Sequence, residues 1–289
     1  MKRGKAVVYA NSIIKNKSEL LKNREIELPK HIPIIPDKLK KEYKTQMVGV
    51  HGGDALNING TNVRKMYKEN GFRKTLNVHE SCNGLLQFYV KDRTLEGIWK
   101  AREKLYAEIK KMGFEAVIAP NFSLYEDAPR IEHLFNIERS ITIYNELIKF
   151  GINAIPDVAW YNINDLDFWI EQINKSRCSM IAFSFQVVDV RLKASNLWKH
   201  YLAGFKYLCQ GIKSNIKVII VGVNSENRIF EIQKSISDNI SLHVLNQSAY
   251  IQSQRGMYSN GRVRDLNTSK DKLLEMNIKY FDKLYSELI

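Results

Sequence analysis

The chain has 289 residues, 44% of them hydrophobic and 10% aromatic, with a formal net charge of +13 and a pI near 9.5. That length and apolar content suit one large α/β domain with a sizeable core and exclude a disordered tail. No apolar run approaches the length of a membrane span, so no membrane partner is expected.

The first 46 residues differ from the rest. They carry twelve Lys/Arg against five Asp/Glu, and three of the six prolines: Pro29, Pro33 and Pro36. The stretch from His31 to Pro36 is expected to run extended, because proline removes a donor and pushes its predecessor out of the helical region. Helical signals flank it at Ser12–Arg24 and, more weakly, at Pro36–Lys44. Residues 1–46 are therefore read as a basic arm or an irregular first unit, followed by a domain over 47–289. The basic Met1–Lys5 is followed by only a short apolar stretch, so a secretory signal is not expected. Cys82, Cys178 and Cys209 form no CxxC pair. A reduced, cytoplasmic protein is expected, with neither a metal site nor a cofactor.

From residue 85 onward, short β-rich runs alternate with helical stretches. The runs are Leu85–Val90, Ala116–Pro120, Asn153–Val158, Ser179–Ser184, Lys217–Val223 and Ser241–Asn246. Adding Val7–Ala10 and Met47–His51 makes eight, the number of a (β/α) TIM-like barrel. Between the runs, apolar residues recur every three or four positions. Helices are predicted over Thr94–Met112, stopped by Gly113, and over Arg130–Phe150, stopped by Gly151. Another begins at Asn164, with Asp167 completing a near capping box. Strand–helix alternation implies parallel strands, which react and bind at their carboxyl ends.

Polar residues gather at those ends. Asn121, Ser123 and Asp127 follow the Ala116–Pro120 run, the next ends in Asp157 with Trp160 beyond it, and the one after in Ser184 with Gln186 beyond it. Asn224 follows the fifth run. Asp127 and Asp157 are the candidate catalytic carboxylates, fit for general acid–base work. Asp127 has a structural alternative as a cap of the helix starting near Pro129, and Asp157 as a loop anchor. Asn121, Ser123, Arg139, Trp160, Gln186 and Asn224 are candidate substrate-binding residues. Near the C-terminus, Arg255, Tyr258, Arg262 and Arg264 combine arginine with aromatics, a pattern suited to gripping phosphate and stacking bases. A solvated loop before the last helix is the alternative there. No Walker loop, GxGxxG, HExxH or GxSxG occurs, which disfavours dedicated triphosphate or dinucleotide binding.

The stretch from Ala119 reads APNFSLYEDAPRIEHLFNIERS, and GINAIPDVAW, ending at Trp160, follows the helix. It resembles the uncharacterised phage and plasmid family catalogued as domain of unknown function 4417. That pattern runs Pro-Asp-Phe-Ser-x-Tyr-x-Asp-x-Pro, then Asn-x-x-Arg, then Gly-Ile-x-x-Ile-Pro-x-Val-x-Trp. Phe122, Ser123, Tyr125, Asp127, Asn136, Arg139, Pro156 and Trp160 fit it, and Asn121 stands where the family often has Asp. The resemblance implies a mobile-element setting. A second stretch, Val218–Glu226 with Val244–Tyr250 and Arg255-Gly256, resembles the last strands of tRNA-guanine transglycosylases, although the zinc cysteines of that family are missing here. That resemblance implies a TIM barrel in which Asp127 or Asp157 would be the nucleophile, with Asn121, Gln186 and Trp160 holding the base.

The leading expectation is a mobile-element protein that binds or acts on nucleic acid, DNA or RNA, at the strand-end face. The alternatives are a nucleoside or other small-molecule enzyme using the strand-end aspartates, and a non-catalytic regulator of a host protein. A mouth filled by the protein's own side chains would favour the regulator.

Overall fold

The computed structural model describes residues 18–186, 195–265 and 267–289. Eight parallel strands are present, and from the second onward they alternate with helices. They are β1 (His31–Pro33), β2 (Met47–His51), β3 (Asn83–Gln87), β4 (Ala116–Ile118), β5 (Ala154–Ile155), β6 (Met180–Ser184), β7 (Ile216–Val221) and β8 (Ile240–Asn246). The helices are the single turn α1 (Gly52–Ala55), α2 (Lys65–Leu76), α3 (Asp92–Lys111), α4 (Arg130–Lys149), α5 (Ile163–Ser176), α6 (Ser195–Gly211), α7 (Glu226–Gln233), α8 (Ser248–Gln254) and α9 (Lys270–Leu288). A two-stranded antiparallel hairpin, β9 (Met257–Tyr258) and β10 (Val263–Arg264), separates α8 from α9.

The parallel strands form two four-stranded sheets, ordered β1-β8-β7-β6 and β2-β3-β4-β5. Isolated parallel bridges, Ile34 with Gly49 and Asp157 with Ala182, join the sheets at both edges. Backbone hydrogen bonds support both joins: Ile35 N–H donates to Gly49 O at 3.1 Å, and Val158 N–H to Ala182 O at 2.9 Å. The first join depends on glycine. A Cβ at Gly49 would lie 2.6 Å from Leu245 Cδ1 and 3.0 Å from Ile34 Cγ1.

Period-2 alternation sorts each strand into an inner and an outer face. One buried cluster takes Ile32, Met47, Leu85, Ile118, Ile155, Ala182, Ile219 and Leu245, a residue from each of the eight strands. Their sequence neighbours Val48, Leu86, Val117, Ala154, Ile181, Ile220 and Val244 pack outward against the helices. In α3, Leu95, Ile98, Leu105, Tyr106 and Ile109 are buried, while Trp99 is half-buried. Each fully buried Leu or Ile contributes about 1.5–3 kcal/mol, so the strands are held from both sides.

Several expectations need correction. The strand that completes the eight is His31–Pro33, inside the proline-containing stretch; Val7–Ala10 lies outside the described residues. Ser18–Arg24, the described part of the predicted first helix, is not helical. Its backbone groups are instead taken by side chains of the main domain. Leu20 N–H donates to Gln172 Oε1 at 3.0 Å, Leu21 N–H to Asn145 Oδ1 at 3.0 Å, and Arg24 N–H to Asn153 Oδ1 at 3.1 Å. The weak helical signal at Pro36–Lys44 fails similarly, with Leu39 N–H donating to Leu76 O and Tyr43 N–H to Asn77 O. The capping box before α5 is Asn162 with Asp165, two residues earlier than predicted, and Asp165 is also held by Arg130.

The extended segment from residue 18 to 30 closes the amino-terminal side of the strands, where Ile26 and Leu28 join the inner cluster. Asn23 fastens it. The buried Asn23 amide donates to Met180 O at 2.8 Å and accepts from Ser179 N–H at 2.9 Å. Asn23→Ala leaves Ser179 N–H without its acceptor and Met180 O with only the weak Cys178 Sγ donor, and urea denaturation is expected to show a loss of about 2 kcal/mol.

Candidate functional site

The alternation that turns Ile155 inward carries on past the end of β5 and turns Asp157 inward above it. Asp157 is 1% exposed. Neither of its oxygens, nor the buried Tyr89 hydroxyl, has a hydrogen-bond partner of ordinary geometry. Burial pushes the Asp157 carboxyl from 3.8 up to about 7, while the nearby Asn121 and Tyr89 side chains pull more weakly in the opposite direction. Burial likewise raises the Tyr89 phenol well above its ordinary value, and the Asp157 charge adds to that. Buried polar groups without partners are rare, and several in one place call for a specific reason.

A cavity of about 320 Å³ opens on this side, lined by residues that include Tyr89, Asn121, Ser123, Tyr125, Trp160, Ser184, Gln186 and Tyr201. Asp157 is not in the lining; it lies behind the layer formed by Tyr89 and Asn121. Trp160 supplies an aromatic wall. Its ring stacks on His200 at 5.0 Å between centroids and meets Tyr201 edge-on at 5.3 Å. The indole is seated on Gly204, where a Cβ would fall 2.4 Å from Cη2. Its buried Nε1–H has no hydrogen-bond partner.

Two arrangements position the lining. Gly53 N–H donates to His51 Nδ1 at 3.1 Å, so the His51 proton sits on Nε2 and is donated to Tyr89 O at 2.7 Å. Gln87 Oε1 accepts from Tyr89 N–H at 2.7 Å, completing the hold on that backbone. The second arrangement grips the loop between β4 and α4. Ser123 Oγ donates to Asp92 Oδ1 at 2.7 Å, and the Tyr125 hydroxyl donates to the same carboxylate. Asn136 Nδ2 donates to Ser123 O at 2.8 Å, and His133 Nε2 to Tyr125 O at 2.7 Å. Arg139, 6% exposed, donates to Asn136 Oδ1 and Glu96 Oε1, both at 2.7 Å, and lies over the Phe122 ring.

The candidate residues thus separate. Asn121, Ser123, Trp160 and Gln186 meet at the cavity, with Asp157 behind it. Arg139 braces the β4–α4 loop from α4 and does not line the cavity. Asp127 is exposed in that loop, and α4 has Pro129 at its N-cap with no side-chain cap. Asn224 turns to Ser248, donating to its Oγ at 3.2 Å. Arg255 and Arg264 are exposed and Tyr258 half-buried around the β9–β10 hairpin, while the Arg262 side chain lies outside the described residues. Ser184, which ends the β6 run, also lines the cavity, and Tyr89 and Tyr201 complete it although nothing in the local pattern marks them. Tyr89 was absorbed into the apolar run Leu85–Val90, but β3 ends at Gln87 and leaves it free to enter the mouth. Among the described residues no group of His, Cys, Asp or Glu is arranged to hold a metal ion.

These features define a parallel α/β protein with a polar and aromatic cavity at the carboxyl ends of its strands. The chain belongs to the family described as Domain of unknown function (DUF4417), whose family model matches residues 46–236. It is also similar to the Gene 1 protein of Mycobacterium phage D29, 30% identical over 90 residues, or 31% of this chain and 33% of that protein. The Gene 1 protein of Mycobacterium phage L5 is 31% identical over 90 residues, covering 31% of this chain and 38% of its own length. The matched stretch thus spans 33% and 38% of the two phage proteins.

Two variants test this geometry. Because the folded Asp157 carboxyl is raised, the unfolded state ionises first. Wild-type stability is expected to fall as pH rises from about 4 to about 7, with a full cost above 7 on the order of 4 kcal/mol. Asp157→Asn carries no such cost, so its advantage in thermal unfolding should grow across that window. Arg139→Met leaves Asn136 and Glu96 without their shared donor, and is expected to lower stability by about 2 kcal/mol in denaturant titration.

Proposed function

We propose that the two sheets make one (β/α)8 barrel of the TIM type, and that the protein binds nucleic acid at the strand-end face by taking a base into the cavity. The barrel reading is supported by the bridges at both sheet edges and by the inner cluster drawn from all eight strands. The functional reading rests on one observation above the others: a buried carboxylate raised to about 7, with the Tyr89 hydroxyl and the Asn121 side chain beside it, lies directly behind the cavity lining.

A base fits the chemistry of that lining. Trp160 and Tyr201 offer aromatic surface, and Asn121, Ser184 and Gln186 offer donors and acceptors for a ring edge. A cavity of about 320 Å³ is at the small end for ligand sites, suited to one planar ring with its sugar. Asp157 is half-protonated near neutrality, which fits a group that exchanges a proton better than one that must stay ionised as a nucleophile. Its route to a ligand runs through the Tyr89 hydroxyl and the Asn121 amide. Asp92, Glu126 and Asp127 border this side of the mouth, so phosphate contacts fall to other parts of the surface, with Arg255 and Arg264 at the hairpin as candidates. The phage relatives and the net charge of +13 agree with a mobile-element protein that meets nucleic acid.

Fluorescence anisotropy with labelled single-stranded DNA, duplex DNA and structured RNA tests this reading. The expected result is a preference for unpaired strands, with Trp160→Ala weakening binding by about tenfold through lost stacking. Affinity should change as pH passes through about 7 in the wild type, and Asp157→Asn should remove that change. Absence of binding to all three probes at low salt would sink the proposal.

A further inference from the structure

A second recess lies at the opposite end of the strands, where Ser179 precedes β6 and Lys213–Asn215 precede β7. It has a volume of about 460 Å³, and all ten side chains that line it are polar or charged. Four are cationic: Lys22, Arg24, Arg177 and Lys213. Arg24 is paired with Glu115 at 2.7 Å, and the one acidic lining residue, Glu25, is engaged by Lys217 at 2.9 Å. Lys22, Arg177 and Lys213 are exposed, and none of them meets a carboxylate within ion-pair distance among the described residues. Cations converging on a concave surface focus a positive field there.

Arg177 adds an argument of a different kind. It ends α5 in the left-handed region, with φ 54° and ψ 44°. A helix stop of this type favours Gly or Asn, and another side chain costs about 1 kcal/mol there. Among the described residues, the other non-glycine residue with positive φ is Asn77, which tolerates it. A cation therefore stands where stability favours glycine. Lys22 is equally well placed, since side-chain amides hold the backbone on either side of it: Asn145 bonds Leu21 N–H, and the Asn23 side chain is itself buried and paired.

We infer that this recess is a second binding site, for a run of phosphates from a nucleic-acid backbone or a free polyphosphate chain, gripped by Lys22, Arg177 and Lys213. It does not depend on the strand-end reading, because none of these residues approaches Asp157 or the cavity.

The test uses the full chain and two probes, a short labelled single-stranded oligonucleotide and inorganic tripolyphosphate, titrated over a range of salt. Arg177→Gly relieves the backbone and removes the charge, so melting temperature should rise while phosphate binding weakens. A merely structural Arg177 would give the first change without the second, and that result would overturn the inference. In the triple variant Lys22→Gln, Arg177→Gly, Lys213→Gln, affinity should fall at least tenfold. The slope of log K against log salt on single-stranded DNA should shrink by about 2, at about 0.7 per lost phosphate contact. Loss with both probes supports a backbone site, and loss confined to tripolyphosphate supports a free polyphosphate site. A triple variant that melts at or above the wild-type temperature and binds both probes with wild-type affinity and slope would overturn the inference. So would a wild-type chain that binds neither.

Discussion

The two-residue pleat of the parallel strands underlies the rest of this molecule. It sends Ile155 and Ala182 into the inner cluster and their neighbours Ala154 and Ile181 out to the helices. Beyond the last paired residues, the same alternation keeps alternate positions pointing inward. There the apolar cluster has ended, so an inward position becomes a place for chemistry. Asp157 occupies such a position, and its backbone also makes the bridge to Ala182 that links β5 to β6. One residue thus joins a seam between sheets and carries a carboxylate held near neutrality by burial. The backbone around Asp157 is fixed by the seam, which keeps the carboxylate facing Tyr89 and Asn121.

Four of the residues that mark the family motif serve one loop. Ser123, Tyr125, Asn136 and Arg139 form, with Asp92, His133 and Glu96, a continuous set of hydrogen bonds that grips the connection between β4 and α4. That loop carries Asn121 to the layer in front of Asp157. Arg139 illustrates how a motif misleads when its residues are read one at a time. An arginine in a site motif invites a substrate role, yet its guanidinium is shared between Glu96, Asn136 and the face of Phe122. A guanidinium so engaged has little left for a ligand, and what it contributes is the position of the loop.

Charge is distributed unevenly between the two ends of the strands. Near the cavity, Asp92, Glu126 and Asp127 offset the excess of Lys and Arg. At the amino-terminal end, by contrast, the extended segment from residue 18 to 30 brings Lys22 and Arg24 against Arg177 and Lys213. The segment's position comes from amide side chains on α4 and α5 and just ahead of β5 that bond its backbone, so its charges are held in place by neutral hydrogen bonds. Local charge, and not the total of +13, is what a ligand meets at either end.

Periodicity alone was enough for the α/β alternation, for most strands and for α3 and α4 with their glycine stops, because these follow from local patterns of two and three to four residues. Asp157, Trp160, Asn121 and Gln186 were legible as candidates for the same reason: each stands at or just past the end of an apolar run. What periodicity misplaced involved partners far along the chain. His31–Pro33 becomes a strand because β8 pairs with it, despite its proline. Ser18–Arg24 gives up its helical tendency because Gln172, Asn145 and Asn153 take its backbone donors. Tyr89 reads as strand interior until β3 is seen to end at Gln87. The convergence of Lys22, Arg177 and Lys213, and the burial that raises Asp157, depend on distances between residues far apart in the chain. Composition and local pattern therefore determined which elements form and which residues stand at their ends. Tertiary packing decided which of those residues meet, because hydrogen-bond satisfaction, desolvation and the summing of charge act through space and not along the chain.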